Sequence, residues 1–365
     1  MQAARPGALA LTLGIATLGG GIATILGLPV GWLLGSTFAV AAASLGGLDT
    51  RLPALLRDIT FVILGIQAGS GVTPEVVDQF ALWPASFAIQ MAGVVLVVVA
   101  TYAFLRTAFG WDKETALFAS LPGALSFVLA AASETRADMT RITVVQSVRL
   151  LLLIGALTPV LAFLEGGGET VVPAVRAHAG TALQYVTLVV ACLGAAALGH
   201  LSRLPGGLLL GALVASAVLH ASGIAPVSVP QALAIPALVI LGVLIGGRLK
   251  REDRWAMMEL LPASLGAFAI GLALSGAAAF LAYALLGIGF GKIALAYAPG
   301  ALEALTVLSF QFDQDPAYVA AHHVVRFMAI ALIVPLLARR LAKSSGAETK
   351  KAGARPASSD GRSED

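Results

Sequence analysis

Pieces of this chain occur twice. Leu28-Pro29-Val30-Gly31-Trp32-Leu33-Leu34-Gly35 returns as Leu204-Pro205-Gly206-Gly207-Leu208-Leu209-Leu210-Gly211, and Val62-Ile63-Leu64-Gly65 returns as Val239-Ile240-Leu241-Gly242. Pro84-Ala85-Ser86 is matched by Pro262-Ala263-Ser264, and Pro122-Gly123-Ala124-Leu125 by Pro299-Gly300-Ala301-Leu302. The offset stays within a residue or two of 177. That period is too long for a solenoid and suits two halves of one membrane domain.

Composition identifies the solvent. Hydrophobic residues make up 58% of the 365 positions and charged residues 12%, with a mean hydropathy of +0.90. A soluble domain carries about 25% charged residues, so this is an integral membrane protein. One cysteine, Cys192, excludes an internal disulfide, a CxxC redox pair and a thiolate metal cage. The net charge is only +3 and the basic residues sit in short loops, a pattern of membrane topology rather than nucleic-acid binding.

Hydropathy gives six apolar segments per half, each near the ~17–25 residues that span hydrocarbon. They cover 8–26, 28–46, 54–72, 81–105, 116–133 and 142–164, then 182–201, 205–222, 231–247, 260–287, 293–310 and 317–338. The first could pass for a signal peptide, but its length and its mid-chain counterpart make it a transmembrane helix. The expected organisation is a first repeat over 1–165, a linker over 166–180, a second repeat over 181–343 and a disordered polar tail over 344–365.

Charge decides how many segments cross. If all twelve do, Lys and Arg distribute against the positive-inside tendency. If the fifth segment of each half dips in and returns, fifteen of seventeen loop Lys and Arg residues up to Lys343 are cytoplasmic, and only Arg176 and Lys292 lie outside. Five crossings per half is odd, so the second half is inverted. The expected fold is an all-α polytopic membrane protein, an inverted repeat of about ten transmembrane helices plus two Pro-Gly-broken segments. Both termini are then cytoplasmic. Interrupted segments in matching positions of inverted repeats are a transporter pattern.

The fifth segments break at Pro122-Gly123 and Pro299-Gly300, because Pro removes a helix donor and Gly eases a turn. Either these are packing kinks, or the freed N–H groups near Ser126 and Glu303 start a new helix facing an anion cavity. The sixth segments carry Gln146 and Arg149 at i, i+3, repeated as His323 and Arg326, with His322 beside them. An arginine within an apolar span costs about 2.5–3.5 kcal/mol on insertion scales. It therefore needs a carboxylate, a carbonyl cage or water. Candidate carboxylates are Glu134 and Asp138 in the first half, and Glu303, Asp313 and Asp315 in the second. Glu303 has no acidic twin, since Ser126 matches it. It either pairs with Arg326 or takes up a coupling proton or cation. His322 and His323, adjacent on a helix, cannot share a metal as an i, i+4 pair would, so no metal or cofactor is expected.

The doubled Pro-Gly-Ala-Leu element, the acidic stretch after it and the Arg-bearing final helix resemble the AbrB family of bacterial inner-membrane proteins. The likeness runs from about Ala8 to Leu341. Family Pro-Gly turns are often followed by Ser-Glu; here the copies read Ser126-Phe127 and Leu302-Glu303, so the halves differ at the site. The resemblance implies a bacterial inner-membrane location and carries two labels, regulation of gene expression and ammonia monooxygenase. Nothing here resembles the small strand-rich DNA-binding domain that shares the AbrB name, and no cluster of metal ligands for a monooxygenase is present.

Three functions compete. A secondary carrier for a small anionic or zwitterionic solute, bound at the repeat interface, leads. A membrane sensor would use the same pocket and need a partner to reach gene expression. A metal-dependent oxidase comes last, and an enzyme is not expected. The partners expected are the lipid bilayer and an unidentified solute, not nucleic acid, with homo-oligomer formation left open.

Overall fold

A computed structural model describes residues 6–71, 82–123, 125–164, 180–203 and 206–353. Described residues are helical or loop, with no strand among them. The helices are α1 (Pro6–Ile25), α2 (Gly31–Gly46), α3 (Ala54–Gly69), α4 (Trp83–Phe109), α5 (Lys113–Ser120), α6 (Leu125–Ala132) and α7 (Met139–Leu164). Then come α8 (Ala182–Leu201), α9 (Gly207–Ala221), α10 (Gln231–Gly246), α11 (Asp253–Leu286), α12 (Phe290–Tyr297), α13 (Leu302–Gln311) and α14 (Pro316–Gly353). The expected linker falls outside the described residues except at Gly180, and 354–365 fall outside as well. The final helix continues to Gly353, past position 344, because Ala, Glu and Lys after Ser345 favour helix even where the stripe is polar.

Six helices are long and apolar enough to cross a membrane: α1, α4, α7, α8, α11 and the part of α14 to Val334. Their outward faces carry bare hydrocarbon, such as Leu18, Ile22, Leu183 and Val190. Apolar exposure on that scale suits lipid, not water. The other full helices, α2, α3, α9 and α10, have 15 or 16 residues, about 24 Å at 1.5 Å per residue. They form the centre, α2 against α10 and α3 against α9, with α3 touching α10. Leu33, Leu64, Leu209 and Leu241 fill this core.

Small residues set that packing. Gly65 and Gly69 of α3 meet the backbone of α9 at Leu209 and Leu213; Gly242 and Gly246 of α10 meet α2 at Ser36 and Thr37. The two Gly-x-x-x-Gly stripes sit at the same offset of 177. Without a hydrophobic drive between helices in lipid, close backbone approach supplies the contact.

Each fifth segment is a pair of short helices with a break at Pro-Gly, α5–α6 and α12–α13. The two ends of each pair lie together. The backbone N–H of Arg136, after α6, donates to Glu114 Oε2 of α5 at 2.6 Å, and Asp138 N–H donates to Thr115 Oγ1 at 2.8 Å. In the second half, Lys292 of α12 pairs with Asp315, after α13, at 2.6 Å. A chain whose entry and exit touch has turned back on itself, so both segments are helical hairpins. Phe118, Val128 and Ile142 pack the first hairpin against α7, and Ile293, Leu305 and Tyr318 pack the second against α14.

Adding a methyl at either central stripe drives it into a backbone. Gly242→Ala and Gly65→Ala should each cost about 1–3 kcal/mol of overpacking. That loss would appear as a lower thermal unfolding temperature in detergent. Gly14→Ala, where a Cβ meets nothing within 4 Å, should leave it level or raise it.

Candidate functional site

The breaks of the two hairpins meet. Gly123 has φ +91°, a left-handed conformation open to glycine, and a Cβ there would lie 3.4 Å from the Gly300 carbonyl oxygen and 3.8 Å from Arg326 Nη2. Four short helices thus converge on one point, two ending there and two starting there. The ends are the carbonyl-rich C-termini of α5 and α12, whose last turns leave acceptors without helical partners.

The buried side chains of α7 and α14 satisfy those carbonyls in a repeated pattern. Gln146 Nε2 donates to Phe118 O at 3.0 Å and Arg149 Nη2 donates to Leu121 O at 3.0 Å. At the same offset, His323 Nε2 donates to Leu295 O at 3.1 Å and Arg326 Nη1 donates to Ala298 O at 2.7 Å. Cationic donors at helix C-termini are favourable both as hydrogen bonds and against the dipole. The carbonyl cage is therefore the solution to the buried arginines. Neither is paired with the acidic candidates: Asp138 bonds Arg141 at 3.4 Å, Asp315 bonds Lys292, and Glu134 is exposed. Asp313 follows α13 with φ +56° and makes no ion pair with Arg326.

The halves then diverge. Arg326 Nη2 also donates to Gly300 O at 2.8 Å and to His323 Nδ1 at 2.7 Å. Arg149 makes one hydrogen bond among the described residues and lines a cavity of about 670 Å³. Gln146, Arg149, Gly123, Pro299, Gly300 and Glu303 all line it, as do the first residues of α6 and α13. Pro122 is in the break but not on the wall. Ser126 is in the first turn of α6, and its side chain lies outside the described residues. Arg326 and His323 stand behind the wall, fully buried.

His322 belongs elsewhere. Its Nδ1 donates to Tyr318 O at 2.8 Å and its Nε2 accepts from Ser86 Oγ at 2.9 Å. Ser86 also meets the hydroxyls of Tyr297 and Tyr318, and Gln90 Nε2 donates to Ala296 O at 2.8 Å, so α4 is tied to the second hairpin. The ring nitrogens of both histidines are occupied, which leaves neither a lone pair to offer a metal.

Among the wall residues that escaped the sequence reading are Arg248, Phe127 and Phe327. Arg248 reads as one more loop cation in Arg248, Lys250, Arg251, Arg254, yet it follows α10 into the cavity, within the field of Glu303. Its position in the first half is Gly71, and that of Glu303 is Ser126. The unmatched charges arise together, and that shared asymmetry was the available clue.

A family model described as "Transition state regulatory protein AbrB" matches residues 32–342. "Putative regulator AbrB" of Escherichia coli (strain K12) is 25% identical over 314 residues, covering 86% of this chain and 90% of the relative. "Uncharacterized protein YhjN" of Bacillus subtilis (strain 168) is 23% identical over 369 aligned residues, 93% of this chain and 94% of the relative.

Removing each arginine should separate support from exposure. Arg326→Ala strands the Ala298 and Gly300 carbonyls, and a buried acceptor left unpaired costs about 1–3 kcal/mol. It should sharply lower the unfolding temperature and yield in detergent. Arg149→Ala, which strands one carbonyl beside a cavity that admits water, should lower it by less than half as much.

Proposed function

The chain belongs to the AbrB family, and within that frame we propose that it is a secondary carrier for a small anionic or zwitterionic solute. The solute binds where the two hairpin breaks meet. The observation that carries this reading is the cavity itself. Arg149, more than nine-tenths buried, lines it with one hydrogen bond among the described residues, beside the starts of α6 and α13. Backbone N–H groups at helix starts and a buried cation are the elements of an anion site at membrane depth.

The reading has a topological part. With both hairpins re-entrant, α1, α2, α3, α4 and α7 cross in the first half, as do α8, α9, α10, α11 and α14 in the second. Ten crossings follow, with the second half inverted and both termini on the cytoplasmic side of the inner membrane. Support comes from the touching ends of each hairpin, the paired Gly-x-x-x-Gly stripes and the one-sided distribution of loop cations.

The word "regulator" in a relative's name favours a second reading, in which the same pocket senses a solute and reports through a partner protein. Transport tells the two apart. Proteoliposomes holding the protein should take up radiolabelled acetate, succinate, leucine or phosphate. Arg149→Ala should abolish that uptake while membrane insertion persists. Binding of one of these probes without any uptake would favour the sensor and end the carrier reading.

Topology has its own check. In a Cys192→Ser background, Gly167→Cys should react with an impermeant thiol reagent from the periplasm, and Ser345→Cys only from the cytoplasm. Both reacting from the cytoplasm would mean an even number of crossings in the first half and would remove the inverted repeat.

A further inference from the structure

The carrier reading leaves open which solute fits, and the wall of the cavity narrows it. Resting on that reading, we infer that the site takes an organic carboxylate with a branched or aromatic apolar body in preference to an amino acid. Charge and shape lead there independently.

Among the described residues three ionisable side chains line the cavity: Arg149, Arg248 and Glu303. No carboxylate among them stands within ion-pair distance of Arg149. Arg326 stands behind the wall with its donors directed to Ala298, Gly300 and His323, neutral partners that leave its charge in place. Three cations and one carboxylate make the site positive, and the partial positive ends of α6 and α13 add to that sign. A carboxylate group matches it. The ammonium of an amino acid would enter the same positive surroundings with one carboxylate, Glu303, to meet it, and burying an unpaired charge is costly.

The rest of the wall is hydrocarbon. Phe127 and Phe327 stand with ring centroids 6.1 Å apart at 59°, and Leu125, Leu150 and Leu302 extend the surface. These residues come from both halves: Phe127 and Leu125 from α6, Leu150 from α7, Phe327 from α14 and Leu302 from α13. An acetate ion held by Arg149 would leave this surface wet. A body of four or five carbons would cover it, and each buried methylene contributes about 0.8 kcal/mol.

Binding to the full chain in lipid nanodiscs, followed by calorimetry at neutral pH, tests this with three probes. 4-Methylpentanoate is leucine without its amino group, and acetate lacks the body. 4-Methylpentanoate should bind at least about tenfold tighter than leucine or acetate. Phe327→Ala should bring it to within about threefold of acetate, and Arg149→Ala should remove binding of both. If leucine or acetate binds wild type as tightly as 4-methylpentanoate, and Arg149→Ala removes it, this inference is overturned and the carrier reading stands. If none of the three binds, both fall.

Discussion

The contact on which the molecule depends is that between a buried guanidinium and the end of a broken helix. Pro122 and Pro299 stop α5 and α12 in mid-domain, which strands carbonyl oxygens where lipid cannot serve them. Arg149 and Arg326, projecting from α7 and α14, donate to those oxygens at 3.0 and 2.7 Å. Each feature would be expensive alone: an arginine in an apolar span, or a helix terminus without partners. Together each offsets the other, and the break becomes stable enough to hold a cavity. The chain does this twice at the same spacing, so the two breaks meet instead of being scattered.

The repeated spacing supplies the frame, and the differences between its two copies give it a direction. Both halves share the hairpin, the glycine stripe and the arginine–carbonyl bond. They differ in what surrounds the arginine. His323 accepts from Arg326 and closes its donor set, whereas Gln146 in the same position bonds a carbonyl and leaves Arg149 lining the open space. Arg248 and Glu303 add a charge couple where the first half has Gly71 and Ser126. The Ser86, Tyr297, Tyr318 and His322 cluster ties α4 to the second hairpin through buried hydroxyls, while α11 meets the first hairpin through Leu260, Ala263 and Ala267.

Much of the architecture was legible beforehand. The segment bounds agree with the helices to within a few residues for most elements, and the fifth segments break where Pro-Gly predicts. The buried Arg149 and Arg326 were legible too, because a charge inside an apolar run stands out. Their partners were not. Carboxylates close in sequence, Glu134, Asp138, Glu303, Asp313 and Asp315, read as the natural counter-charges, yet among the described residues none pairs with either arginine: Asp138 meets Arg141 and Asp315 meets Lys292 at the hairpin mouths, and Glu303 lines the cavity without reaching Arg326. A carbonyl acceptor has no letter of its own, so its availability is visible only once a helix is known to end there. Phe127 and Phe327 were equally hidden, since an aromatic in an apolar span reads as lipid contact or core until its neighbours are placed.

From its own letters this chain determined its solvent, its motifs repeated at one spacing, the position of its helices and the residues at which two of them break. Those properties depend on composition and on spacing along one strand of chain, which sequence records directly. Tertiary structure decided which arginine faces the cavity and which stands behind it, that Arg248 joins the wall, and that His322 does not. These outcomes turn on hydrogen-bond competition among groups 28 to more than 200 residues apart. A period of 177 can say that such groups have twins, but only their packing determines which twin has a donor left to offer.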